Sequence, residues 1–262
     1  MRSAVGSAVL VLTGLLAAPA GADPAIDALV SAYPEFLAGY DRNELIWKDG
    51  SRMTISDGIA GKTFDDLLNN ADIKDQFVIP YPPGSVLKTP SVNEDPGRIR
   101  NERLFLNMYG DCRKGEVQRT LERVAWMPGR GGGTVTVTRT NGVAARLAGV
   151  VKELEQLPAD LTRFLVPSAG AYNCRTIAGT GRYSVHAFGA AIDINSRFSD
   201  YWQWSQRKDA NIVWRNRVPS AIGEVFERHG FIWGAKWYHF DSMHFEYRPE
   251  IIALARRGWP SR

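Results

Sequence analysis

Only two cysteines and four histidines occur among the 262 residues, and that scarcity bounds the chemistry available. Cys112 and Cys174 lie too far apart for any zinc-finger spacing, so a cysteine-ligated metal is not expected. In an oxidising compartment an even pair favours a disulfide, with two buried thiols as the alternative. Basic runs are also lacking. Lys+Arg number 32 against 28 Asp+Glu, a net charge of +4, which suits adhesion to an anionic surface and leaves no footprint for nucleic acid. Beyond the N-terminus no stretch approaches the ~20 apolar residues of a membrane span, so no stable membrane insertion is expected. Internal repeats and low-complexity tracts are absent, which excludes solenoids and arrays.

What is present begins with an export signal. Arg2 precedes an uncharged run from Val9 to Ala18, and Ala20-Gly21-Ala22 is the small-x-small pattern of a cleavage site, so residues 1–22 read as a removed signal peptide. An uncleaved anchor is the alternative. The mature chain is then exported, to the periplasm or the medium, and is long enough for one large domain or two small ones.

Asp23-Pro24 followed by Ile26, Leu29, Val30 and Tyr33 predicts an N-capped helix with one apolar face. From Trp47 to about Gly133 the pattern is irregular, with breakers at Pro80, Pro82-Pro83-Gly84, Pro90 and Asp95-Pro96-Gly97. Residues 129–133 read as a flexible connector and Thr134–Thr138 as a short half-buried strand; without a Lys-Ser/Thr ending the glycines make no phosphate loop. Val143, Leu147, Val150, Val151, Leu154 and Leu157 mark a helix ending at Pro158 and packing beneath a sheet. A further helix opens at Pro219-Ser220 and stops at Gly230, with His229 in a structural role at its C-terminus. The expected organisation is an N-terminal extension or cover over residues 23–133 and a second domain over 134–262.

Two polar insertions in apolar segments carry the chemistry. In Ser184-Val185-His186-Ala187-Phe188-Gly189-Ala190-Ala191-Ile192-Asp193-Ile194-Asn195, an ionised Asp193 among alanine and isoleucine costs several kcal/mol unless a cation or donors compensate it. A strand there sets Ala191, Asp193 and Asn195 on one face and Ile192 and Ile194 on the other. In Trp237–Tyr247, a strand from Met243 puts Met243, Phe245 and Tyr247 on one face and His244 and Glu246 on the other. Two histidines and an aspartate give zinc three ligands and leave one position open for water, the arrangement of a catalytic site. Asp241, three residues before His244, is the candidate base for that water. Glu246 reads as the acceptor that fixes the tautomer of a ligand imidazole. Either insertion alone would arise often by chance.

Ser184-x-His186-x-x-Gly189-x-Ala191-x-Asp193, with Asp241-x-x-His244-Phe245-Glu246 some fifty residues later, resembles the VanY-like D-alanyl-D-alanine carboxypeptidases and the related L-alanyl-D-glutamate endopeptidases. The resemblance covers about residues 140 to 250. It implies an α+β, hedgehog/DD-peptidase-like fold, a small antiparallel sheet with flanking helices, to which this chain adds an N-terminal extension of mixed structure. It makes His186, Asp193 and His244 the ligands of Zn2+ and Asp241 the general base that activates zinc-bound water. It also points to Arg175, in Gly170-Ala171-Tyr172-Asn173-Cys174-Arg175, as the cation that stabilises the oxyanion. Asn173 and Cys174 interrupt the family pattern there, and a surface arginine is the alternative. Ser184 orients substrate or a ligand backbone, or is a local cap. His239 binds substrate carboxylate or assists proton transfer, or is a packed histidine. Tyr201, Trp202, Trp204 and Trp237 either wall a cleft or belong to the core.

The substrates so implied are the stem peptides of peptidoglycan. Asp rather than Glu at the base position leans toward the endopeptidase branch. A non-catalytic wall-binding module stabilised by zinc, and a peptidase of another exported peptide, are the competing readings.

Overall fold

A computed structural model describes residues 23–205 and 212–259; the expected signal peptide lies outside these. Helix α1 (Pro24–Ala32) starts where Asp23 accepts from the backbone of Ala25 and Ile26, and leads into a meander of β1 (Leu37–Asp41), β2 (Glu44–Trp47) and β3 (Arg52–Thr54). The stretch expected to be irregular contains more order than its breakers suggest. Helix α2 (Phe64–Asn69) begins in a Thr63/Asp66 capping box, and α3 (Glu102–Tyr109) begins where Asn101 caps Leu104. Both helices are short, so their caps announce them better than their periodicity does.

Strands β4 (Leu121–Trp126) and β5 (Gly133–Thr138) form an antiparallel hairpin, which spans the 133/134 boundary expected from the sequence. Its turn is the segment read as a connector, and Arg130 pins it. The guanidinium donates to the carbonyls of Glu155, Leu157 and Pro158 and to Thr162, and so covers the carbonyls beyond α4 (Val143–Leu154). Helix α4 therefore ends before Leu157. It packs on the hairpin and on α6 (Ser220–Arg228), and is followed by the short α5 (Thr162–Leu165).

The third sheet holds β6 (Ala191–Asp193), β7 (Phe231–Trp233) and β8 (His244–Tyr247) in the order β6-β8-β7, all antiparallel. Beneath it lies α6 (Ser220–Arg228), not α4: Phe226 stacks on Phe245 with ring centroids 3.7 Å apart. His229, just past α6, meets Glu153 of α4 at 2.8 Å. Helix α7 (Pro249–Arg257) closes the chain against α1. The fold is thus mixed α+β with small antiparallel sheets and seven α-helices among the described residues. No helix among the described residues is long and apolar enough to cross a membrane.

One hydrophobic core runs from Ala25 to Leu254, and buried polar bonds tie the N-terminal part to α6, α7 and the loop after β7, the elements around the third sheet. Tyr33 donates to Glu250 at 2.6 Å, Tyr81 to Glu227 at 2.7 Å, and the Trp237 indole to Pro96 O at 2.8 Å. Gly97 shows how close that approach is: at φ +80°, a Cβ there would lie 2.5 Å from Ile232 of β7. Only glycine fits both the backbone angle and the space.

Cys112 and Cys174 form a disulfide that fastens the loop carrying Arg175 to the turn after α3. Replacing both by serine is expected to lower unfolding free energy by about 2–4 kcal/mol, since the bridge closes a long loop in the unfolded chain. Urea titration checks this; an unchanged midpoint would mean that packing alone holds the loop.

Candidate metal centre

Asp193 and His244 face each other across the β6–β8 ladder as register partners, so their side chains project to the same side of the sheet. His186 reaches them from a 3-10 turn over Val185–Phe188, which Ser184 opens by accepting from His186 N–H. Gly189 closes that turn at φ +67°, where a Cβ would meet Thr138 N at 2.8 Å. The motif glycine is therefore required by a left-handed turn pressed against β5.

Three atoms converge: His186 Nε2, Asp193 Oδ1 and His244 Nδ1. Their separations are 3.2 Å between the two ring nitrogens, 3.2 Å from His186 to Asp193 and 3.0 Å from His244 to Asp193. The tautomers follow from the outer partners. His186 Nδ1 meets the Ala171 carbonyl, which can only accept, so Nδ1 carries the proton and Nε2 a lone pair. His244 Nε2 meets Glu246 Oε2 at 3.2 Å, which leaves the Nδ1 lone pair pointing inward.

Two lone pairs and a carboxylate oxygen then crowd one point, an arrangement that repels itself unless a cation sits there. With protons alone the cluster answers partially: burial disfavours charge on His244, yet the Asp193 and Glu246 carboxylates push it up to about 10. Burial likewise works to raise Asp193, but the facing imidazoles hold it well below the ordinary carboxylate range. A metal ion satisfies all three donors at once, and this His-Asp-His group could hold one.

Asp241 lies beside the cluster in the same cleft. Its backbone N–H bonds Gly234 O and its carbonyl accepts from His244 N–H, while its Oδ1 is buried with no hydrogen-bond partner among the described residues. Burial first, then the charge of Asp193, pushes its carboxyl up to about 7. Glu246 shows the opposite balance. Burial opposes its charge, but Arg100, His244 and Arg248 outweigh that and lower it to about 2.

The remaining candidates are partly gathered. Arg175 lines the cleft while staying exposed, its guanidinium on Thr176 O at 3.4 Å. His239 lines the cleft too, with Nδ1 on Asp95 at 2.7 Å and its ring stacked on Phe64 at 5.5 Å. Tyr201, Trp202 and Trp237 stand in the cleft wall, whereas Trp204 is 60 % exposed. Sequence reasoning missed Asp95, Arg98 and Arg100. Arg98 and Arg100 line the cleft, Arg100 bonds Glu246 at 3.4 Å, and Asp95 anchors His239. The one signal for them was the Asp95-Pro96-Gly97-Arg98 turn, which carries no catalytic pattern of its own.

Residues 178–247 match a family model described as D-alanyl-D-alanine carboxypeptidase. The match supports the family that the two-part motif resembles. It spans roughly a quarter of the chain and contains Ser184, His186, Asp193, His239, Asp241, His244 and Glu246; Arg175 and the residues from the N-terminal part lie outside it. No curated protein and no solved structure matches the chain.

Proposed function

We propose that the protein is an exported zinc peptidase acting on the stem peptides of peptidoglycan, with His186, Asp193 and His244 as zinc ligands and Asp241 as general base. The observation that carries this reading is the convergence of two imidazole nitrogens and a carboxylate oxygen beside a buried carboxylate that has an unpartnered oxygen. A tetrahedral ion with bonds near 2.0–2.1 Å has ligand-to-ligand edges of about 3.3 Å, close to the 3.0–3.2 Å separations found. Two nitrogens and an oxygen suit zinc, and a fourth corner is left for water or substrate.

Zinc bound there supplies Lewis acidity toward a scissile carbonyl and makes a water acidic enough to lose its proton near neutral pH. Asp241 takes that proton through its free oxygen and returns it to the departing amine. A carboxyl group can serve both transfers, accepting the proton as the anion and returning it as the acid. Arg175, at the open side of the cleft, faces the oxygen on which charge develops. Glu246, gripped by Arg100 and Arg248, keeps the His244 ring turned so that Nδ1 points inward.

Removal of a terminal D-alanine is the first reading of the bond cut, on the family description. Cleavage between L-alanine and D-glutamate is the second, favoured by aspartate at the base position. Mass spectrometry of purified stem peptides incubated with the mature protein decides between them. Loss of alanine establishes the carboxypeptidase, and a fragment beginning at D-glutamate establishes the endopeptidase. Both products should disappear after chelation and return with added zinc. A zinc-loaded protein that leaves every stem peptide intact would sink the wall-peptide reading and favour a binding module or another exported substrate.

A further inference from the structure

Next to the metal cleft, a hollow of about 440 Å3 opens against α2, walled by Phe64, Leu68, Asn93, Arg98, Trp202 and His239. That volume is within the range of small-ligand sites. Arg98, Trp202 and His239 also line the metal cleft, so the two spaces share a wall and a peptide held at the metal can extend into the hollow. Most of this lining lies outside the segment that matches the family model.

Asp95 organises the shared wall. Its fully buried carboxylate accepts from Arg98 Nη1 at 2.6 Å, from His239 Nδ1 at 2.7 Å and from His239 N–H at 2.9 Å. Burial opposes this charge, but the bond from His239 and the Arg98 cation outweigh it, and the carboxyl stays below its ordinary value. Asp95 engages one of the five N–H donors of Arg98, and the described residues provide no second hydrogen-bond partner for that guanidinium. The Arg98 side chain is only 17 % exposed, so its unused donors are largely withdrawn from water on a concave wall. His239 is fixed in the same way, with Nδ1–H on Asp95 and Nε2 unpartnered among the described residues. Its ring lies flat on Phe64 and edge-on to Trp202 at 4.8 Å.

A shielded, immobilised guanidinium with spare planar donors, beside aromatic rings, recognises a carboxylate better than any neutral group. Asp65 lines the exposed side of the same hollow, and its charge disfavours a second acid there. We propose that this hollow is a subsite for a residue carrying one free carboxylate, bound by the spare donors of Arg98 while the neighbouring peptide bond sits at the metal; His239 and Asp95 hold the wall that presents the guanidinium. The proposal rests on the peptidase reading. The carboxylate has two possible sources in a wall peptide: the chain terminus, or the lateral carboxylate of a γ-linked D-glutamate.

The zinc-loaded protein is assayed on two matched pairs of peptides. One is acetyl-L-lysyl-D-alanyl-D-alanine and its C-terminal amide; the other is L-alanyl-γ-D-glutamyl-L-lysine and its form with the lateral carboxylate amidated. In one pair the acid should exceed the amide in kcat/KM by at least about ten-fold, and that pair identifies the source. Arg98→Gln should bring the ratio to near one, and Arg98→Lys should restore part of it. A merely structural Arg98 would lower both rates and leave the ratio unchanged. A wild-type ratio near one in both pairs, or a preference that survives Arg98→Gln, overturns the subsite, and the wild-type ratio needs no variant to fold. If neither pair is cleaved, the peptidase reading fails by itself; calorimetric titration of the four intact peptides into the wild type then judges the subsite, with tighter binding of an acid supporting it and equal binding refuting it.

Discussion

Asp241→Asn is expected to lower kcat/KM on stem peptides by about a thousand-fold, the scale of losing a positioned general base, while zinc stays bound at one equivalent. Asparagine keeps the volume and can still hydrogen-bond a water, but it cannot take the proton. The folded state should not suffer. Asp241 is a buried carboxylate whose Oδ1 lacks a partner and which lies close enough to Asp193 for that charge to raise its pKa, so neutralising it removes a repulsion and a desolvation cost. The melting temperature of the variant should equal or exceed that of the wild type. That combination separates a base from a structural residue, because structural carboxylates lower stability when they are lost. Turnover that survives would return the protonation role to another group, and loss of zinc together with turnover would make Asp241 part of the metal's own shell.

The features of this centre were unequally legible in the sequence. Asp193 and His244 stood out because each interrupts an apolar strand, and period-two alternation placed each on the polar face of its own strand before any register was known. Their meeting depends on the β6–β8 pairing, which alternation alone does not give. Helix α4 and the helix ending before His229 were legible from period and caps, although the layer under the sheet is α6 and the C-terminus of α4 is set by Arg130 from a hairpin turn that read as a connector. Asp95, Arg98 and Arg100 were not legible. Asp95 and Arg100 take their roles from contacts to His239 and Glu246 almost 150 positions away in the chain, and Arg98 is held by Asp95; no local pattern encodes such long-range pairings. The division at 133/134 followed glycine content, whereas the β4–β5 hairpin and the shared core follow from where the apolar side chains go.

Replacing a ligand should act on the metal and not on the apoprotein. His186→Ala is expected to reduce retained zinc after dialysis to a small fraction of an equivalent and to abolish turnover, with the apoprotein melting within a few degrees of the wild-type apoprotein. The reason is that Nε2 of His186 lies 3.2 Å from both His244 Nδ1 and Asp193 Oδ1, where it serves the ion, while without one the ring contributes packing, its contacts to these two neighbours and one bond to Ala171 O. Zinc should raise the wild-type melting temperature in proportion to RT ln(1 + [Zn]/Kd) and leave the variant unmoved at the same concentration. Glu246→Gln should fall between the two, losing about 10–100-fold in zinc affinity, because glutamine can still accept from His244 Nε2 but no longer balances Arg100 and Arg248. Metal analysis and thermal melts of the three proteins with and without zinc give the order. If His186→Ala retained zinc as well as the wild type does, the three-donor centre would be wrong, and an apoprotein that collapsed on the same change would make His186 a core residue whose proximity to Asp193 and His244 serves packing alone.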